Sequence, residues 1–186
     1  MERLGGLDIL FANAGISGGY GPASTYTDAG RIENLDLAIW QQTLGVNLTG
    51  VLHTVRAALP ALRQSQAGKI IVTASIAGLR ANTSIGYTYT ASKTAVVSLI
   101  KTLALELAGA NIQVNGLAPG PFITNINDGR FHDPSNAALE ASSVPLNRLA
   151  DPKEIKGLAL LLASSASSYI TGAVIPIDGG KTAGGI

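Results

Sequence analysis

Tyr89 and Lys93 lie four residues apart, and Ser75 precedes Tyr89 by fourteen residues. On a helix, residues at i and i+4 share one face, with Cβ atoms about 5–6 Å apart. An ammonium group beside a phenol favours the phenolate, so this spacing predicts that the pKa of Tyr89 falls towards neutrality, where the side chain can act as acid and base. The hydroxyl of Ser75 could hold a substrate oxygen while its charge changes. The same spacing also fits an exposed pair of side chains on a helix. The surrounding helices and strands must therefore show which of the two interpretations holds.

The composition narrows the chemistry that is available to these residues. The chain has 186 residues, of which 46% are hydrophobic and 13% charged, and this predicts a single globular domain, 1–186. A net charge of +1 without a run of Lys or Arg predicts no nucleic-acid partner. Cysteine is absent and there are only two histidines, so we predict no metal site and no Ser-His-Asp triad. With no signal-peptide pattern and no long apolar run, we expect a cytoplasmic protein without a membrane partner.

The elements that must position Tyr89 and Ser75 follow from apolar patterning. Short apolar runs rich in β-branched residues predict four buried strands at 7–12, 69–74, 111–117 and 173–178. Helical patterns lie between them, from about 36 to 64 and from 87 to 107, and a third opens at Asp151 with an Asp-Pro-x-Glu capping signal. Strands alternating with helices predict an α/β fold with a parallel sheet.

Polar and glycine residues follow the ends of the predicted strands. Ser75 follows the second strand, and Tyr89 lies in the first turn of the next helix. Asn13-Ala14-Gly15 and Pro119-Gly120 follow the first and third strands. Because open parallel sheets bind ligands at the carboxyl ends of their strands, these residues predict a ligand site at one rim of the sheet.

With these residues in place, the chain resembles the short-chain dehydrogenase/reductase family. Residues 7–15 are similar to the family's fourth strand and its Asn-Asn-Ala-Gly motif, with Ala12 in place of the first Asn. Residues 46–50 are similar to the helix motif that carries the catalytic Asn. Ser75-Ile76-Ala77-Gly78 matches the catalytic serine segment.

The resemblance continues through the second half of the chain. Tyr89-Thr90-Ala91-Ser92-Lys93 matches the Tyr-x-x-x-Lys signature, and its distance from Ser75 is one residue longer than the family's commonest value. Residues 114–120 and 169–180 match the family's C-terminal half. Each motif alone is weak to moderate evidence, but six motifs in the right order make a specific pattern.

The resemblance implies a Rossmann-like parallel sheet with helices on both faces, and an oxidoreductase that transfers a hydride between NAD or NADP and an alcohol or ketone. It implies the catalytic residues Asn47, Ser75, Tyr89 and Lys93. It implies cofactor contacts on the adenosine side from Asn13, Ala14 and Gly15. On the nicotinamide side it implies contacts from Lys93, Pro119, Gly120, Phe122 and Thr124. Finally, it implies a homo-oligomer that associates through the helices 36–64 and 87–107.

The resemblance begins at the family's fourth strand, so we expect an N-terminally truncated fold that corresponds to the C-terminal two-thirds of the family's domain. The glycine-rich pyrophosphate loop has no counterpart. Gly15-x-x-x-Gly19-x-Gly21 has a similar spacing, but no amphipathic helix follows directly, and a flexible rim loop is the preferred interpretation. The strand 7–12 is expected to be an exposed apolar edge that lowers stability or promotes self-association.

Two functions remain open at this point. The first is an NAD(P)-dependent oxidoreductase. The alternative is a non-catalytic fragment in which cofactor binding is lost with the glycine-rich loop and the long helices mediate association. The segments 16–35 and 121–148, which we expect to be polar loops, predict no particular substrate.

Overall fold

The computed structural model describes residues 5–19 and 28–184 of the chain. Four parallel strands form one sheet, and their order in the sheet is also their order along the chain. The strands are β1 (Ile9–Ala12), β2 (Gly68–Thr73), β3 (Ile112–Pro119) and β4 (Val174–Ile177). The predicted parallel sheet is confirmed, and every strand overlaps the apolar run that predicted it.

A long helical segment with one irregular turn leads from β1 towards β2. It consists of α1 (Leu37–Leu44), a π-helical turn (Gly45–Thr49) and α2 (Gly50–Leu62). The segment begins as predicted, because the Asp36 carboxylate accepts a 2.7 Å hydrogen bond from the Ala38 N–H. The π-helical turn was not predicted, and it carries Asn47, which is completely buried.

Helices cover both faces of the sheet, as the fold class predicts. α3 (Tyr87–Leu107) has the predicted bounds and packs with α2 against one face. The core on this face includes Val55 and Leu62 of α2, Val96 and Ile100 of α3, and Ile70 and Val114 of the sheet. On the other face, α5 (Lys156–Ala163) buries Leu162 against Ile71 and Leu117. Burying both faces is what parallel sheets require.

Two Asp-Pro capping signals begin helical segments near the C-terminal end, and only one of them was recognised in the sequence. The predicted capping box of Asp151 and Glu154 begins a 3₁₀ turn that leads into α5. The interpretation of 121–148 as loop is wrong, because this region contains a 3₁₀ segment (Ile126–His132) and α4 (Pro134–Ala141). Asp133 caps α4 by accepting a 2.9 Å hydrogen bond from the Asn136 N–H.

Strand β1 borders the sheet within the described residues. It pairs there with β2 alone, and its side chains Ile9 and Phe11 are 43% and 42% exposed. This agrees with the expected exposed strand, and the effect on stability and self-association stays a prediction. Within residues 5–19 and 28–184, no helix is both long enough and apolar enough to cross a lipid bilayer.

Candidate active site

Ser75 lies at the centre of the rim formed by the carboxyl ends of the strands. The chain leaves β2 at Thr73, and the Ser75 hydroxyl accepts a 3.1 Å hydrogen bond from the Ala77 N–H. This bond caps a 3₁₀ turn at Ile76–Gly78. Ser75 itself is only 7% exposed. Because β2 lies between β1 and β3, the turn occupies the middle of the rim where open parallel sheets bind ligands.

Tyr89 and Lys93 project from the first turns of α3 towards the same place. The Ser75 side chain is hydrogen-bonded to Tyr89. The Lys93 Nζ lies 5.7 Å from the centroid of the Tyr89 ring and donates a 2.8 Å hydrogen bond to the Thr73 carbonyl. Lys93 is 3% exposed, so a buried ammonium group lies over the Tyr89 ring. The three residues that spacing singled out therefore form one cluster.

The electrostatics of this cluster differ from the expectation. Burial raises the pKa of the Tyr89 phenol, and the hydrogen bond with Ser75 opposes this effect without overcoming it. The prediction that the pKa of Tyr89 falls towards neutrality is therefore wrong, because desolvation of the buried phenol is the largest effect and raises its pKa. Burial lowers the pKa of Lys93 itself from its ordinary 10.5 to about 8. Tyr89 consequently keeps its proton at neutral pH.

Asn47 holds the loop after β1 against the helices. Its Oδ1 accepts a 2.8 Å bond from the Ile16 N–H, and its Nδ2 donates to the Ile16 carbonyl at 2.9 Å. The second Nδ2 proton goes to the Ser92 hydroxyl at 3.1 Å. Both N–H bonds of the amide are thus in use. A water ligand, the role that the resemblance implies for Asn47, would have to use a remaining oxygen lone pair.

The residues expected to bind a cofactor lie along the same rim. Asn13, Ala14 and Gly15 are exposed in the loop after β1, and the Asn13 Oδ1 accepts a 2.8 Å bond from the Thr73 hydroxyl. A β-carbon at Gly15 would lie 3.4 Å from the Asn47 Oδ1 and 3.5 Å from the Lys93 Nζ, so the backbone here passes close to both side chains. Among the described residues, no group of three or more His, Asp or Glu is placed to hold a metal ion.

The other half of the expected cofactor set follows β3. Pro119 ends β3, and the Gly120 N–H donates a 3.0 Å bond to the Ile177 carbonyl. A β-carbon at Gly120 would lie 2.6 Å from the Asp178 Cβ, so only glycine fits beside the end of β4. Phe122 is buried and forms a short parallel bridge with Ala150, while Thr124 is half-buried.

The glycines of the loop after β1 have a packing role. Gly18 has a φ of 73°, and a β-carbon there would lie 2.7 Å from the Thr43 Cγ2. Glycine is therefore needed for both the backbone conformation and the close approach to α1. Gly21, the last glycine of the candidate cofactor spacing, lies outside the described residues.

Two further residues of the site were not singled out from the sequence. Ser92 is completely buried, and its hydroxyl connects Asn47 to the Tyr89 carbonyl. Gly78 lets the Ser75 turn touch α3, since a β-carbon there would lie 2.5 Å from the Lys93 carbonyl oxygen. Both residues stand inside the motifs that were recognised, and only that position could have drawn attention to them.

Known proteins match nearly the whole chain. The sequence profile described as enoyl-(acyl carrier protein) reductase matches residues 1–182. A 3-alpha-(or 20-beta)-hydroxysteroid dehydrogenase of Mycobacterium tuberculosis is 41% identical over 184 residues, which are 99% of this chain and 64% of the relative. A 3-oxoacyl-(acyl-carrier-protein) reductase of Thermotoga maritima is 36% identical over 181 residues, which are 97% of this chain and 68% of the relative.

Solved structures share the fold. A short-chain type dehydrogenase/reductase from Mycobacterium marinum superposes with a TM-score of 0.86 at 38% identity, covering 98% of this chain and 68% of that protein. A gluconate 5-dehydrogenase from Burkholderia cenocepacia, solved with NADP and tartrate, gives a TM-score of 0.87 at 32% identity, with coverage of 99% and 68%. The chain thus spans about two thirds of the length of the relatives that it matches.

Proposed function

The chain belongs to the short-chain dehydrogenase/reductase family, and on that premise we propose that it is an oxidoreductase that interconverts a ketone and a secondary alcohol with NAD or NADP. One observation carries the proposal. The hydroxyl of Ser75, the phenol of Tyr89 and the ammonium of Lys93 meet at the carboxyl rim of the sheet. This arrangement combines a proton donor, a partner for a substrate oxygen and a buried cation.

Each side chain has a distinct role in the proposal. Tyr89 keeps its proton because burial raises the pKa of the phenol, so it can donate that proton to a carbonyl oxygen that gains negative charge. Ser75 is hydrogen-bonded to Tyr89 and can hold the same oxygen in place. The positive charge of Lys93 stabilises the phenolate that remains after proton transfer. Asn47 fixes the loop that forms one wall of the site.

The rim offers groups that fit part of a nicotinamide cofactor. Gly15 leaves space beside the Lys93 Nζ. The hydrogen bond from Lys93 to the Thr73 carbonyl uses one of the three N–H donors of the ammonium group, so two donors remain for ribose hydroxyls. We propose that Asn13, Ala14 and Gly15 line the adenosine side, and that Pro119, Gly120, Phe122 and Thr124 line the nicotinamide side. The bound cofactor would supply the hydride. In the described residues, no glycine-rich turn runs directly from a strand into an α-helix.

The proposal is tested by NADPH- and NADH-dependent reduction of cyclic ketones. Two relatives are named as a hydroxysteroid dehydrogenase and a trans-4-hydroxycyclohexanecarboxylate dehydrogenase, so steroid ketones and cyclohexanone carboxylates are the first substrates to try. Tyr89→Phe should lower the rate by about 10²–10⁴-fold with an unchanged circular dichroism spectrum. Tyr169→Phe is the matched control because Tyr169 is fully exposed. Equal rates in wild type and Tyr89→Phe would overturn the mechanism.

The long helices support a second proposal, that copies of the chain associate through α1–α2 and α3. Apolar side chains on these helices are exposed, among them Leu37 at 69%, Leu52 at 39% and Leu105 at 83%. Association would remove this surface from water. In sedimentation velocity, Leu105→Glu should shift the chain towards monomer. The control Leu160→Glu should not, because Leu160 is 69% exposed on α5, which packs on the other face of the sheet. A wild-type monomer at all concentrations would refute this proposal.

A further inference from the structure

Ser92 carries a completely buried hydroxyl between two parts of the site. The hydroxyl donates its proton to the Tyr89 carbonyl at 2.8 Å and accepts a 3.1 Å bond from the Asn47 Nδ2. Ser92 stands directly before Lys93 in the chain, yet its side chain points to the π-helical turn that bears Asn47. A hydroxyl has one proton, so these two bonds fix its direction.

The Ser92 hydroxyl and the Ile16 backbone together set the orientation of the Asn47 amide. With its proton given to Tyr89, the Ser92 oxygen can only accept, so it must face the Nδ2 of Asn47. The Oδ1 then faces the Ile16 N–H, while the other Nδ2 proton reaches the Ile16 carbonyl. A flipped amide would set its oxygen against the Ile16 carbonyl and the Ser92 oxygen, and all three hydrogen bonds would be lost.

The loop that Asn47 holds is a wall of the proposed cofactor site. Ile16 follows Gly15, whose backbone passes beside the Asn47 Oδ1 and the Lys93 Nζ. A chain of hydrogen bonds therefore runs from the loop after β1, through Asn47 and Ser92, to the backbone of Tyr89. It connects an exposed loop to the helix that carries the proton donor.

We propose that Ser92 is a positioning residue, which orients the Asn47 amide and so holds the loop 13–16 at a fixed place beside Tyr89 and Lys93. This inference rests on the proposed function for its consequence in catalysis, but its structural content can be measured without turnover. Removing the hydroxyl leaves one buried N–H of Asn47 without a partner, so the amide keeps only its two bonds to Ile16 and loses its hydrogen bond to α3. The Ile16 N–H then loses its protection first.

Amide hydrogen exchange measured by NMR tests the proposal on this 186-residue chain. In Ser92→Ala, the Ile16 amide should exchange about tenfold faster, while the amide of Ile100, in the middle of α3, should keep its wild-type rate. Ser92→Cys preserves most of the packing volume and provides the same reading if the alanine variant folds poorly. Ser98→Ala is the control, because Ser98 is exposed on the same helix. A selective change at Ile16 supports the inference. An unchanged Ile16, or an equal acceleration at Ile16 and Ile100, overturns it.

A second measurement, the dissociation constant of NADPH, separates this inference from the proposed function. If the chain binds NADPH, Ser92→Cys should raise the dissociation constant about tenfold, whereas Ser98→Ala should leave it unchanged. If neither the wild type nor the variants bind NADPH, the proposed function fails. The exchange rate of the Ile16 amide still decides the role of Ser92 in that case. NADPH binding that is equal in wild type and Ser92→Cys would contradict the positioning role in the site.

Discussion

Replacing Asn47 with alanine should destabilise the fold more than any other single amide deletion in α1 or the π-helical turn. Asn47 is completely buried and makes three hydrogen bonds, of 2.8, 2.9 and 3.1 Å, to Ile16 and Ser92. Deleting the Asn47 amide removes one hydrogen-bond partner from each of three groups: the Ile16 N–H, the Ile16 carbonyl and the Ser92 hydroxyl. A buried group that loses its partner costs about 1–3 kcal/mol. Ile16 is half-buried, so water can replace part of the loss, and we expect a total of about 2–4 kcal/mol.

Guanidinium denaturation followed by circular dichroism and by the single tryptophan, Trp40, measures this cost. Gln42→Ala is the matched control, since Gln42 is an exposed amide on α1, and its loss should change the unfolding free energy by less than about 0.5 kcal/mol. Asn47→Asp keeps the shape but removes both N–H donors, so it should be at least as destabilising as the alanine variant at neutral pH. A cost for Asn47→Ala no larger than that for Gln42→Ala would show that the three hydrogen bonds of Asn47 do not stabilise the fold.

Two further predictions concern Lys93 and the turn that faces it. Burial lowers the pKa of Lys93 in the fold to about 8 from an ordinary 10.5, so between these values the unfolded chain binds more protons. The unfolding free energy should therefore rise with pH across this window by up to about 3 kcal/mol, and Lys93→Met, compared by urea denaturation at each pH, should lack that rise. Gly78→Ala would place a β-carbon 2.5 Å from the Lys93 carbonyl oxygen, and it should cost about 1–3 kcal/mol in thermal or chemical unfolding. Gly157→Ala, in open space on α5, should instead be neutral or stabilising, and equal effects of the two glycine changes would contradict the packing argument.

The architecture could be predicted because local patterns and the sheet agree. Apolar runs predicted the four strands to within two residues at every end, and α3 has its predicted bounds. α4 was missed although Asp133-Pro134 repeats the capping signal of Asp151-Pro152, because its polar sequence lacks an apolar face. Capping residues were thus better guides to this region than apolar periodicity was.

Residue spacing predicted that three side chains lie close together, but it did not predict their electrostatics. Ser75, Tyr89 and Lys93 form one cluster in the fold. Their spacing could not show that Lys93 is hydrogen-bonded to the Thr73 carbonyl, or that burial has the largest effect on the pKa of Tyr89. These depend on how tightly the turn after β2 packs against α3, which is a property of the folded chain. The bonds of Asn47 to Ile16 likewise join residues 31 positions apart, and no local pattern encodes them.

Fluorescence titration of the 186-residue chain with NADPH and NADH is the most direct test of the proposed oxidoreductase function. An enzyme that transfers a hydride from a nicotinamide cofactor must first bind that cofactor. We expect a saturable signal with a micromolar dissociation constant for at least one of the two cofactors. Binding should be weakened in Lys93→Met and unchanged in Lys153→Met, because Lys153 is exposed. No saturable binding of either cofactor would refute the proposed oxidoreductase function of this chain and favour the alternative, in which the chain keeps the family's reactive residues without a working cofactor site.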